Sequence, residues 1–165
     1  MLFTYEDLQN YISLNTEDEN TDRMLLTSSY NTLKKILNFE LEERNYTELH
    51  TVTDYKIITE QINIIEVISI VDINTKEKIE HAVVDEMTNT ILFINPRLER
   101  HVVFVNYKAG YIKETFPEEF KEALIRIFLY KKNLLNKSIN IEETESEKLP
   151  DYIKQNLETY KRKRL

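Results

Sequence analysis

The stretch VVFVNYKAGY at residues 102–111, followed by FPEEFKEALIRIFLYKKNLL at 116–135, decides the fold class of this chain. In the first half Val103, Val105 and Tyr107 share one face and Val102 and Phe104 the other. A strand apolar on both sides is expected between two layers. It runs into Gly110, the one glycine in 165 residues. Keeping glycine there points to a turn whose backbone shape other residues do not supply. Pro117 then opens a helix over 117–135, because its missing N–H costs nothing at a first helical position. Glu118 and Glu119 suit the positive end of that helix, and Lys131 and Lys132 the negative end. Phe120, Ala123, Leu124, Ile127, Phe128 and Leu134 recur at helical spacing and predict its buried stripe.

Working back from this unit, two more helices precede a β region. The first is predicted over 5–13, with Thr4 as its cap and Asp7 three residues on. The second is predicted over 22–43, where Leu26, Tyr30, Leu33 and Leu37 step by four, three and four. From 46 to 107 the pattern turns to strands. Ile62–Ile73 is dense in β-branched residues and apolar on both faces. Ile79–Val84 and Ile91–Ile94 are shorter candidates, separated by turn-like Asn-Thr pairs. Helices segregated from strands argue for an α+β fold. The expected architecture is mainly an α-helical bundle packed with an antiparallel β region. Residues 1–137 form the principal domain, and 138–165 an extended C-terminal tail with a short helix.

Composition narrows the function. Net charge is −7, which argues against a surface built to clamp nucleic acid. Cysteine is absent, excluding disulfides and thiolate metal sites. A single glycine leaves nothing for a phosphate-cradling loop. His50, His81 and His101 stand apart with no metal-ligand spacing, and no nucleophile elbow occurs. No enzyme activity, cofactor or metal is expected. No apolar run reaches the length of a membrane span. The first ten residues carry Glu6 and Asp7 and no basic residue, so no signal peptide is expected. Charge is unevenly spread, with an acidic run at Glu142, Glu143, Glu145 and Glu147 and a basic close at Lys161, Arg162, Lys163 and Arg164.

The apolar strand, the Ala109-Gly110-Tyr111 turn and the P-E-x-x-K-x-A-L opening of the helix at 117–124 resemble the head–tail connector (adaptor, or head-completion) family of tailed bacteriophages. IIEVISI at 64–70 looks like that family's I-x-x-V-x-S-V strand. LPDYIKQNLETYKR at 149–162 looks like its closing L-P-x-x-I-K-x-x-L-x-x-Y-R. The chain departs from the family in lacking glycine-rich hairpin turns and in a long β region over 46–84. The resemblance implies a non-enzymatic virion protein at the head–tail junction, assembled in the host cytoplasm. It implies a homo-oligomeric ring, usually twelve subunits, between the portal protein and a downstream tail or stopper protein. DNA would pass through the lumen without sequence-specific binding, and no membrane is involved. The final segment offers Ile153, Leu157 and Tyr160 as one apolar stripe beside Lys161, Arg162, Lys163 and Arg164. It is the candidate partner-binding element, to be weighed against packing on its own domain. The competing reading of the whole chain is a small cytoplasmic interaction or regulatory domain whose basic tail binds an acidic partner or nucleic acid.

Overall fold

A computed structural model describes residues 1–14, 18–80, 83–85, 89–137, 149–151, 155 and 157. The chain divides into two compact units, one of Met1–Asn38 with the described residues from Lys113 on, the other of Phe39–Ile112.

The first unit is helical. Helix α1 spans Tyr5–Tyr11 and begins in a capping box: the Asp7 amide donates to Thr4 Oγ1 (3.2 Å), and the Thr4 amide donates to Asp7 Oδ2 (2.8 Å). Helix α2 spans Glu19–Leu37 and buries Leu26, Tyr30, Leu33 and Leu37, the stripe predicted from their spacing. It starts three residues earlier and stops six earlier than its predicted span of 22–43. Asn38 ends it in the left-handed region (φ 59°), donating its amide to Lys34 O; asparagine tolerates that conformation better than most residues. Helix α3 spans Glu118–Lys137 and buries Phe120, Ala123, Leu124, Ile127 and Phe128. Pro117 lies one residue before it, and its carbonyl accepts the first helical bond, from the Lys121 amide at 3.2 Å. Helices α2 and α3 pack together. Asp22, fully buried on α2, accepts from Lys132 Nζ at both oxygens (2.8 and 2.7 Å), and Lys131 Nζ donates to the Ser28 and Thr32 hydroxyls (2.7 Å each).

The second unit is two antiparallel three-stranded sheets over one core. Strands β1 (Arg44–Thr51), β6 (Val102–Ala109) and β3 (Ile64–Asp72) form the first, in the order β1-β6-β3. Strands β2 (Lys56–Ile58), β5 (Thr90–Leu92) and β4 (Val83–Asp85) form the second, in the order β2-β5-β4. Ile70, Val103, Val105 and Tyr107 from the larger sheet meet Ile57, Ile91 and Phe93 in a single buried cluster.

The chain is thus α+β, but not mainly a helical bundle: among the described residues α1–α3 fall in one unit and all six strands in the other. A second difference concerns the apolar strands. Only one face of β6 is buried; Phe104 on the other is 42% exposed. Strand β3 is apolar on both faces for a different reason. Its register against β6 slips twice, after Ile64 and after Val67, so Ile65 and Ile68 are extra residues that bulge outward. Isoleucines therefore appear outside without a second layer being needed. The tight turns are unusual too. Among the described residues Asn38, Asp54, Tyr55, Asn63, Lys76, Asn89 and Arg100 all hold positive φ without being glycine.

Candidate interaction surface

The outer face of the β1-β6-β3 sheet exposes apolar side chains from all three strands. Register places Leu49, Phe104 and Val71 in one row across the three strands. Leu49 is 56% exposed, and Ile68, which bulges out next to Ser69 one row further on, is 44% exposed. The next row is polar and closes on itself. Thr47 Oγ1 donates to Asn106 Oδ1 (2.6 Å), and Asn106 Nδ2 donates to Ser69 Oγ (2.8 Å). Charge enters only in the following row, where Lys108 pairs with Glu43 at 2.5 Å and Glu66 is exposed.

Beneath this sheet the inner face carries a polar cluster around Glu48. Tyr107 donates its hydroxyl to Glu48, His50 Nε2 lies 2.7 Å from Glu48 Oε2, and the Glu60 amide donates to the same oxygen at 3.0 Å. Burial alone would raise the Glu48 carboxyl. The bonds from His50, Tyr107 and the Glu60 amide more than offset it and hold the group below the usual carboxylate range. Tyr107 is pushed far up by burial and by the Glu48 charge, so it stays a neutral donor. At the far end of β3, Asp72 accepts from the Thr75 and Asn74 amides (2.9 and 2.7 Å) and lies 2.5 Å from His101 Nδ1. The Thr75 amide, with His101, keeps its carboxyl low. Each acid is thus occupied in tying strands or a turn together. Among the described residues no three histidine, aspartate or glutamate side chains converge as a metal site, and no helix is long and apolar enough to cross a membrane.

Gly110 closes β6 at φ +110°. A Cβ there would sit 2.5 Å from the Glu42 carbonyl oxygen and 2.8 Å from the Glu43 amide nitrogen. Its own amide donates to Asn63 O (3.1 Å), and its carbonyl accepts from the Asn63 side chain. This glycine therefore lets the segment before β1 cross close to the end of β6. Of the C-terminal candidates, Leu157 is described; it is helical and buried, 1% exposed. Ile153, Tyr160, Lys161, Arg162, Lys163 and Arg164 lie outside the described residues. Leu149, just before them, is also buried. Sequence reasoning missed the outward face of the larger sheet, because Phe104 and Val102 were read as facing a second layer. The usable signal was the run Ile64-Ile65-Glu66-Val67-Ile68-Ser69-Ile70, whose inward residues 64, 67 and 70 step by three rather than two.

No family model matches the chain, and no curated protein matches it in sequence. Solved structures do share its fold. One comes from the neck of an empty GTA particle computed with C6 symmetry: TM-score 0.60, 11% identity, covering 94% of this chain and 87% of that one. Another is from the virion of a native gene transfer agent (GTA) particle, with TM-score 0.59, 12% identity and coverage of 89% and 79%. A third comes from the neck of a native GTA particle computed with C12 symmetry, with TM-score 0.58, 10% identity and coverage of 94% and 86%. At these identities the likeness is one of fold.

Proposed function

We propose that this chain is a structural protein of the neck of a phage-like virion. It is a non-enzymatic subunit of a ring, of twelve copies, joining the portal to a downstream tail or stopper protein, with DNA passing through the lumen. The observation that carries this reading is the fold likeness to chains of GTA necks, which spans 94% of the chain and so takes in helices and strands alike. The connector-like motifs at 102–124 and 149–162 point the same way from sequence. A net charge of −7 suits a lumen that must not grip a polyanion. Residues 1–137 would be the connector domain, and 138–165 the extension that reaches the portal.

Within that extension, buried Leu149 and Leu157 fasten the segment to its own subunit, leaving Lys161, Arg162, Lys163 and Arg164 as the contact for an acidic groove on the portal. The test is pull-down of the full-length chain with purified portal, followed by electron microscopy of the complex. A ring seated under the portal is expected. A monomer indifferent to portal at every concentration refutes the reading and leaves the regulatory-domain alternative. Replacing the four basic residues with serine should weaken portal binding at least tenfold; unchanged binding refutes the tail's part in it.

A further inference from the structure

The outer face of the β1-β6-β3 sheet poses a solvation problem that a lone subunit does not answer. Leu49 and Phe104 stand in water, with Ile68 bulging out beyond them beside Ser69, on a chain in which 31% of residues are charged; yet the Leu49-Phe104-Val71 row and the Thr47-Asn106-Ser69 row hold no charge. The polar row satisfies itself, through Thr47 to Asn106 to Ser69. Two of the row's donors are already bonded within it, so the cost of covering this polar surface is reduced. A face with these properties is ready to lose its water.

The occupant follows from charge. Copies of a chain carrying −7 repel one another wherever their acidic surfaces meet, so contact between copies needs neutral patches. A closed ring also needs two different patches that fit each other. Helix α2 supplies a second one. Met24, Thr27, Ser28 and Asn31 lie along one side of it at helical spacing, all exposed and uncharged, with Met24 74% exposed. They line the middle of a shallow groove of about 610 Å³, with Arg23, its charge paired with Glu6 and Glu19, at one end and Lys35 at the other. Here too two of the three polar side chains are engaged: Thr27 donates back to Arg23 O (3.0 Å), and Ser28 accepts from Lys131. Lys35 ends the stripe and Glu66 borders the sheet face, giving opposite charges at the two rims.

We propose that in the assembled ring the outer face of the β1-β6-β3 sheet of one copy seats against the α2 stripe of the next, with Phe104 and Leu49 meeting Met24. This rests on the ring reading above and assigns its copy-to-copy contact. The experiment follows the mass of the full-length chain by light scattering, alone at rising concentration and with purified portal. Wild-type chain should reach ring mass. Phe104→Glu and Met24→Glu, both at exposed positions, should keep wild-type circular dichroism and need at least tenfold more protein to assemble. Mixed one to one, the two variants should stop at two subunits, because each brings one intact face. Leu49→Lys repeats the sheet-side test if Phe104→Glu misfolds. Sheet-side variants that assemble like wild type overturn the assignment while leaving the ring intact. Met24→Glu assembling normally beside a failing Phe104→Glu overturns the helix half of it. Wild-type chain that stays monomeric even on portal overturns the ring reading and this contact together.

Discussion

Replacing Lys132 with methionine should be among the most damaging single changes in the helical unit. Asp22 is fully buried, and both its oxygens accept from the Lys132 ammonium. Methionine keeps the aliphatic stem of the lysine but leaves a carboxylate in the α2–α3 contact without its countercharge. Removing one member of a buried pair costs about 3–5 kcal/mol. The lysine side chain is 21% exposed, so water reaches the site, which argues for the lower end. For a chain of this length ~3 kcal/mol corresponds to a fall in Tm of about 6–12 °C. Asp22→Asn should cost less, since the freed lysine can turn its ammonium to solvent. The double variant Asp22→Leu/Lys132→Met should recover most of the loss, because an apolar pair in place of a buried ion pair is often neutral or better. Thermal and urea melts of the four proteins measure this. A Lys132→Met variant within about 0.5 kcal/mol of wild type, where surface substitutions fall, would show that the pair contributes little and that solvent reaches Asp22.

Other perturbations test other parts of the fold. Gly110→Val should destabilise by more than about 1–3 kcal/mol, the cost of a residue forced into a sparsely populated conformation, because the added Cβ also meets the Glu42 backbone; a urea melt measures it. Leu124→Ala, at a side chain with no exposure, should cost about 2–5 kcal/mol as a cavity; a change below about 0.5 kcal/mol would remove that face of α3 from the core. The Glu48 carboxyl is held below its unfolded value, so its contribution is present above about pH 4.3 and is lost as pH falls through the lower folded value. Melts from pH 7 to pH 3 should show that loss in wild type and a flatter profile in Glu48→Gln; parallel profiles would refute it.

The helices were legible because their stripes are one-sided. Leu26, Tyr30, Leu33 and Leu37 are buried, as their spacing requires, and Phe120 to Phe128 follow the same rule. The end of α2 was not legible, since Phe39 and Leu41, which already belong to the strand unit, prolong the apolar pattern and are themselves buried. Only Asn38 marks the break, and asparagine is too common in this chain to read as punctuation. The short strands were harder still. Strand β2 buries one residue, Ile57, and so shows no alternation, while β4 ends on Asp85 and β5 begins on Thr90, so their pairing residues are out of step with the apolar runs around them. The outward face of the larger sheet escaped notice because bulges imitate burial: two extra isoleucines in β3 look in sequence like a strand covered on both sides. The C-terminal candidates shared a pattern of residues, of which Leu157 is the one with a described place, inside its own subunit.

The left-handed residues shift conformational cost between the folded and unfolded ensembles. Tyr55, Lys76 and Arg100 hold positive φ where glycine would sit without strain. Each such residue gives up about 1–2 kcal/mol in the folded state. Glycine in its place would relieve that strain but would give the unfolded chain more freedom to lose, worth about 0.4–1 kcal/mol the other way. The second offsets about half of the first, so a chain with one glycine turns its corners with side chains at a reduced net loss of stability. It then unfolds into a stiffer coil, with fewer backbone states to search on the way back. At Gly110 no such exchange is open, because the Glu42 backbone occupies the space a side chain would need.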